Sequence, residues 1–289
     1  MKNWLAAIRL KTLPLALGSI ILGSWIHAFS FEFNIFMWSC ITAILLQILS
    51  NLANDYGDYT KGTDRHRNDR QLAEGTISPR AMLIAIGIFA LGALISGILL
   101  LTIAFENQWD LWIKFLLMGL FSIAAALLYT MGKKAYGYMG LGDLSVFIFF
   151  GLVGVVGTSF LYKHEVDFYS WFLAIGYGCL CVGVLNVNNM RDLDKDVLTD
   201  KITVASKLGL QGAIIYQVLL LSIAFLCFLF HHYLSYYYSF APVAILFIGF
   251  THIQNLREAV SETDYNNQLK YLSLGSLSVV LIYLIRLFY

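Results

Sequence analysis

Charge is scarce in this chain. Asp, Glu, Lys and Arg make up 13% of its residues, against 59% hydrophobic ones. Soluble domains carry about 25% charged residues, and a soluble protein of this length has no means of hiding so much apolar surface. A water-soluble class is therefore excluded. The net charge of +1 provides no basic field for a nucleic-acid partner. Cysteine chemistry is also thin: Cys40, Cys179, Cys181 and Cys227 all sit in apolar runs, and no Cys-x-x-Cys pair occurs. Such residues pack as small hydrophobes. His27, His164, His231, His232 and His252 have no metal-binding spacing, and His66 stands apart in a basic loop.

Long apolar runs fill the space left by charge. A membrane span needs roughly 20 apolar residues. Nine stretches qualify as candidates: 13–31, 36–53, 81–104, 112–131, 143–162, 168–190, 209–230, 236–254 and 270–288. The expected fold is an all-α polytopic membrane protein, one domain over 1–289. The first stretch lacks a small-x-small cleavage site after a short apolar core and is read as a retained span. If the amino terminus and the loops after spans two, four, six and eight share one side, every Lys and Arg except Lys114, Lys163 and Arg286 falls there. The positive-inside rule makes that side cytoplasmic. Nine spans would then leave the carboxyl terminus outside.

Two polar segments interrupt the oily chain on the cytoplasmic side. One reads NLANDYGDYTKGTD from Asn51; the other reads NVNNMRDLDKD from Asn186, with Asp200 following. Carboxylates beside a bilayer are expensive and require a cation or another partner. Residues four apart share a helix face. That places Asn54 with Asp58, Asn51 with Asp55, and Asn188 with Asp192 and Asp196. Mg²⁺ takes oxygen ligands, usually one or two carboxylates plus water and phosphate oxygens. Two such stripes suit two or three ions around a diphosphate. Basic residues accompany both: Arg65, Arg67 and Arg70 after the first, Arg191, Lys195 and Lys201 in or after the second. Arginine and lysine clamp phosphate oxygens and stabilise a departing diphosphate. The four spans between the segments form a faint internal echo consistent with a duplicated four-helix unit.

A third cytoplasmic segment, 129–143, reads YTMGKKAYGYMGLGD. Its glycines permit tight turns or close approach to a ligand. No strand precedes it and no Lys-Ser/Thr follows, so it is not a nucleotide phosphate loop. Lys133, Lys134 and Tyr138 are candidates to face substrate, and Asp143 opens the fifth span. Aromatic residues lining a cavity would stabilise a carbocation through their ring faces.

These residues resemble the UbiA superfamily of intramembrane prenyltransferases, over nearly the whole chain. The two Asp-rich motifs carry the likeness, with RLKTLPLALG at Arg9, EGTISPRAM at Glu74 and GYMGLGDLSVFIFFG at Gly137. The latter three favour the branch whose acceptor is 1,4-dihydroxy-2-naphthoate. The resemblance implies nine helices around a central cavity under cytoplasmic cap loops. It implies Mg²⁺ held by Asn54, Asp58, Asn188, Asp192 and Asp196. Gly62 stands where the superfamily's first motif often has an acid, and Asp64 is read as its replacement. Lys133 and Lys134 stand where Gly-Pro elements are common. The implied roles are catalytic for Asp58, Asp192 and Asp196, and diphosphate binding for Arg65, Arg70, Tyr129, Lys133, Arg191 and Lys201. The expected partners are a polyprenyl diphosphate and an aromatic acceptor. The expected reaction is Mg²⁺-dependent prenyl transfer with loss of carbon dioxide, on the path to menaquinone. The alternatives are another acceptor such as 4-hydroxybenzoate, or, outside enzymes, a cation channel or transporter. Asp58→Asn or Asp192→Asn should abolish turnover while the protein still inserts and purifies; near-normal activity in both variants would dismiss the site.

Overall fold

The computed structural model describes residues 2–26, 30–63 and 70–285. Among the described residues the elements are all helical. They form two compact units, Met1–Leu13 with Glu32–Gly142, and Pro14–Phe31 with Asp143–Tyr289.

The first unit opens with a short helix α1 (Lys2–Ile8). Arg9 takes a left-handed backbone (φ 55°) and breaks it before a 3₁₀ turn, Leu10–Thr12. The expected first span therefore starts as helix α2 (Leu13–Trp25), after a bend. The long helix α3 (Phe33–Lys61) ends at Gly62, whose φ of 76° lets its N–H cap the carbonyls of Asp58 and Tyr59. Helix α4 (Pro79–Phe105) starts where Ser78 accepts from the Ala81 N–H and proline occupies the first turn. Helix α5 (Trp109–Leu128) completes the unit. Its core gathers Ala7, Ile48, Leu49, Leu52, Leu72, Ile77, Met82 and Ile86. On α4, Ile84, Ile88, Leu91 and Ile95 are each more than half exposed. Their helical spacing makes a continuous apolar stripe, the surface a lipid environment covers.

In the second unit, α2 is joined by helices α6 (Gly142–Val146) and α7 (Thr158–Lys163), with residues Phe147–Gly157 between them wound as a π-helix. The sequence pattern alone predicts a plain α-span there. Next come α8 (Ser170–Arg191), α9 (Leu193–Leu198), α10 (Val204–Leu234), α11 (Ala241–Glu258) and α12 (Glu262–Leu284). Thr203 with Ser206 and Ser261 with Asp264 form capping boxes that start α10 and α12. Hydrogen bonds from the Ser261 N–H and hydroxyl and from the Val260 N–H hold the Asp264 carboxyl below its ordinary pKa.

Helix α8 is the core of this unit: 78% of its apolar stretch is buried, against 11% for α5. Small residues explain how neighbours approach it. A methyl added at Gly151 would stand 2.7 Å from the Ala174 carbonyl and 3.0 Å from the Gly178 Cα. Helices in lipid gain association energy from such close packing, because lipid supplies no hydrophobic drive.

Among the described residues, seven helical segments are long and apolar enough to cross a membrane: Lys2–Trp25, Phe33–Lys61, Pro79–Phe105, Trp109–Leu128, Gly142–Lys163, Ser170–Arg191 and Val204–Leu234. The chain is a multi-pass membrane protein. The stretches expected as spans eight and nine form α11 and α12, which are helices with more polar ends. His252, Gln254, Asn255 and Arg257 fall in the first of these, and Asn266, Asn267, Gln268 and Lys270 in the second. Gly151→Leu should lower the melting temperature in detergent by several degrees, as overpacking costs about 1–3 kcal/mol. Gly119→Leu, where nothing lies within 4 Å of an added Cβ, should leave it unchanged.

Candidate active site

Each acidic segment ends a long helix, and in each the acids are bonded to cationic or hydroxyl groups of the same unit.

In the first unit, one turn near the end of α3 is tied to the amino-terminal segment. Asn51 Nδ2 donates to the Ile8 carbonyl (2.8 Å) and to Thr12 Oγ1 (3.1 Å). Gln47 Nε2 donates to the same hydroxyl at 3.1 Å. Asp55 is 2% exposed and holds two arginines, Arg70 at 3.0 Å and Arg9 at 3.5 Å. Arg70 also reaches Asp58, at 3.9 Å. Asp58 Oδ1 accepts a 2.6 Å bond from the Tyr138 hydroxyl. That hydroxyl also bonds Thr63 Oγ1 at 3.1 Å, and the Lys61 ammonium lies 3.9 Å from the Tyr138 ring centroid. The single Thr130 hydroxyl proton is shared between the Ala53 carbonyl (3.0 Å) and Asn54 Oδ1 (3.2 Å). Gly57 permits this approach: a methyl there would lie 2.6 Å from the Thr130 carbonyl carbon. The glycine loop is packed by the same means. Gly137 donates to the Tyr129 carbonyl at 2.8 Å, and a side chain at Gly137 would strike it. Tyr129 meets Tyr136 edge-on at 5.3 Å between centroids. Lys133 and Lys134 are exposed.

In the second unit, α8 ends at Arg191, Asp192 takes a non-helical backbone (φ −97°, ψ 8°), and α9 resumes at Leu193. The expected Asn188–Asp192–Asp196 stripe is thus carried by two helices hinged at its middle acid. Arg191 binds both oxygens of Asp192, through Nε at 3.0 Å and Nη2 at 2.7 Å. It also donates to Asn188 Oδ1 (2.9 Å) and Asn266 Oδ1 (2.8 Å). This bidentate fork is an arginine geometry that lysine does not reproduce. Lys201 Nζ lies 3.3 Å from Asp196 Oδ1. Lys195 pairs with Glu262 on α12.

The structure therefore brings Asn54, Asp58 and Arg70 together in the first unit, and Asn188, Arg191, Asp192, Asp196 and Lys201 together in the second. Asp64 and Arg65 lie outside the described residues. Arg9 and Thr130 were not singled out as site residues by sequence. Arg9 reads as a positive-inside anchor until its guanidinium is seen beside Asp55. Thr130 has no signal beyond lying next to Tyr129.

The donors suit Mg²⁺. All are carboxylate or carboxamide oxygens, hard ligands of the type this ion takes. Among the described residues no three acidic, His or Cys side chains cluster into a cage. Asp58 and Asn54 would serve in the first unit, and Asp192, Asn188 and Asp196 in the second.

A multi-pass helical protein with two Asn/Asp segments, each set among cationic side chains, defines the class. The chain matches the UbiA prenyltransferase family over residues 13–274 and belongs to it. Among its relatives is the 1,4-dihydroxy-2-naphthoate octaprenyltransferase of Haemophilus influenzae, 43% identical over 79% of this chain and 76% of that one. The Escherichia coli protein of the same name is 39% identical over 78% of this chain and 74% of its own length. The Mycobacterium tuberculosis protein, also of that name, is 37% identical over 75% and 74%. Two solved structures share the fold. An apo UbiA homolog from Aeropyrum pernix gives a TM-score of 0.71 at 17% identity, over 95% of this chain and 96% of that one. A UbiA homolog from Archaeoglobus fulgidus bound to DMAPP and Mg²⁺ gives 0.66 at 13%, over 97% and 99%.

Tyr138→Phe deletes the hydroxyl that orients Asp58. It should raise the Mg²⁺ concentration for half-maximal activity about 10-fold, and a metal titration of the variant enzyme checks this.

Proposed function

We propose that this protein transfers a polyprenyl chain from its diphosphate to 1,4-dihydroxy-2-naphthoate, releasing carbon dioxide and yielding a demethylmenaquinol for menaquinone synthesis. The observation that carries the reading is the 37–43% identity, over three-quarters of the chain, to relatives bearing that activity in their names. The two Asn/Asp segments with their basic neighbours support it. We propose residues 1–289 as one functional domain, since the family match runs from 13 to 274. The amino terminus and the Asp-rich loops are assigned to the cytoplasm and the carboxyl terminus to the outside, from the distribution of Lys and Arg.

Asn54, Asp58, Asp64, Asn188, Asp192 and Asp196 are the proposed metal ligands. When bound, Mg²⁺ supplies positive charge to the leaving diphosphate. Arg65, Arg70, Tyr129, Lys133 and Lys201 are assigned to the diphosphate oxygens, where their donors meet charge that grows in the transition state. Arg191 has Nε, Nη1 and Nη2 bonded to Asp192, Asn188 and Asn266. Its proposed role on the diphosphate is therefore indirect: it holds Asp192 and Asn188 in place. The allylic carbon–oxygen bond breaks with its electron pair leaving on the diphosphate. The ring attacks through its carboxylate-bearing carbon, and loss of carbon dioxide returns the electron pair that restores aromaticity. Aromatic side chains stabilise the allylic cation and exclude water, which would trap it as an alcohol.

Membranes carrying the protein, given 1,4-dihydroxy-2-naphthoate, a polyprenyl diphosphate and Mg²⁺, should release diphosphate and carbon dioxide in equal amounts, and chelation should stop both. Turnover with 4-hydroxybenzoate alone, without carbon dioxide, would move the acceptor to a different branch of the family. Metal-dependent ion flux with no diphosphate release would overturn the enzymatic reading.

A further inference from the structure

Four carboxamide and imidazole side chains form a hydrogen-bonded line through the second unit. Asn186 on α8, Gln217 on α10 and His252 on α11 are each 0% exposed. Asn186 Nδ2 donates to the Ala213 carbonyl (2.9 Å) and to Gln217 Oε1 (2.9 Å). Gln217 Nε2 lies 3.3 Å from His252 Nε2. His252 Nδ1 lies 2.9 Å from Gln268 Oε1 on α12. Gly183 leaves the room: a methyl there would fall 2.9 Å from Gln217 Nε2.

The line has one direction. The Ala213 carbonyl only accepts, so the amide of Asn186 faces it. The same amide then meets the Gln217 oxygen, which turns the Gln217 NH₂ toward the imidazole. Gln268 Oε1 only accepts, so His252 Nδ1 carries the proton and Nε2 is the acceptor for Gln217. A ring protonated at both nitrogens would set donor against donor. Breaking a link would leave deeply buried polar groups unpaired at high cost, and one such group is already present, since Asn186 Oδ1 is buried without a partner among the described residues. The line thus fixes how α8 is rotated against α10, α11 and α12.

We propose that Gln217, His252 and Gln268 are positioning residues for the second acidic segment. By holding Asn186, they set the rotation of the helix that presents Asn188 two residues later and Asp192 at its end. The proposal rests on the cation-binding role assigned above to Asn188, Asp192 and Asp196. Asn266 on α12 braces the end of α8 as well, through its 2.8 Å bond with Arg191. A rotation of α8 would carry both motif residues off their ligand positions, and outer partners of this kind change metal affinity about 10–100-fold when removed.

Three substitutions at one position test this on the full-length protein in detergent, with Mn²⁺ as the probe followed by electron paramagnetic resonance. His252→Phe removes both links. It should weaken Mn²⁺ binding at least about 10-fold and speed amide exchange across 188–196. His252→Gln places an oxygen where Nε2 lies, keeps the acceptor for Gln217 and should restore both readouts. His252→Asn keeps only the link toward Gln268 and should not. Unchanged Mn²⁺ affinity and exchange in His252→Phe, whatever its melting temperature, would overturn the proposal, as would equal behaviour of the Gln and Asn variants. Should His252→Phe fail to fold, Gly183→Val displaces Gln217 from the opposite side and is read against the same criteria. A wild-type protein that binds Mn²⁺ yet transfers no prenyl group would instead defeat the functional reading, while the exchange data would still decide the positioning role.

Discussion

Negative charge placed at the edge of a bilayer must be balanced locally, and the structure around both acidic segments depends on that balance. Asp55 and Asp192 are almost wholly buried, and each holds an arginine within 3.0 Å. Removing one partner of a buried ion pair costs about 3–5 kcal/mol, because the other charge is stranded. This cost explains why the chain is drawn back on itself near the first segment. Arg9 breaks the amino-terminal helix with a left-handed backbone, and its guanidinium then stands beside Asp55. Further along, Arg70 returns to the same carboxylate from beyond the end of α3.

The charge-bearing ends are held by packing that depends on small side chains. Gly57 lets Thr130 reach Asn54, and Gly137 lets the loop fold onto Tyr129. In the second unit, Gly151 meets Gly178, and Gly183 admits Gln217. Each close approach replaces lipid with a dense interface or a buried hydrogen bond, two of the sources of helix association in a membrane. The described acids of both segments thus sit at or near helix ends, a placement that suits the proposed metal and phosphate site.

Much of the site was legible in sequence because its chemistry is local. Asn54 to Asp58 and Asn188 to Asp192 are four apart, and helical geometry alone puts each pair on one face. Other features escaped for the converse reason. The pairing of Arg9 with Asp55 joins residues 46 positions apart, and nothing in local spacing signals it. The π-helical stretch 147–157 has the composition of an ordinary apolar span, so its wider winding is invisible to hydropathy. Asp192 was expected inside a continuous stripe, yet it marks a break between two helices.

The sequence by itself determined that the chain lies in a membrane, that its strongest polar content is gathered in two Asn/Asp segments, and that these segments offer hard oxygen donors. Composition, hydropathy and i, i+4 spacing carry that information, since each depends on neighbours along the chain. Only the tertiary structure decided which cation neutralises which acid, that Arg191 grips Asp192 instead of standing free, and that His252 joins Gln217 to Gln268 in a line of amides. Those outcomes are set by which helix faces meet, and side-chain pairing across helices is a property of packing that no stretch of the chain holds alone.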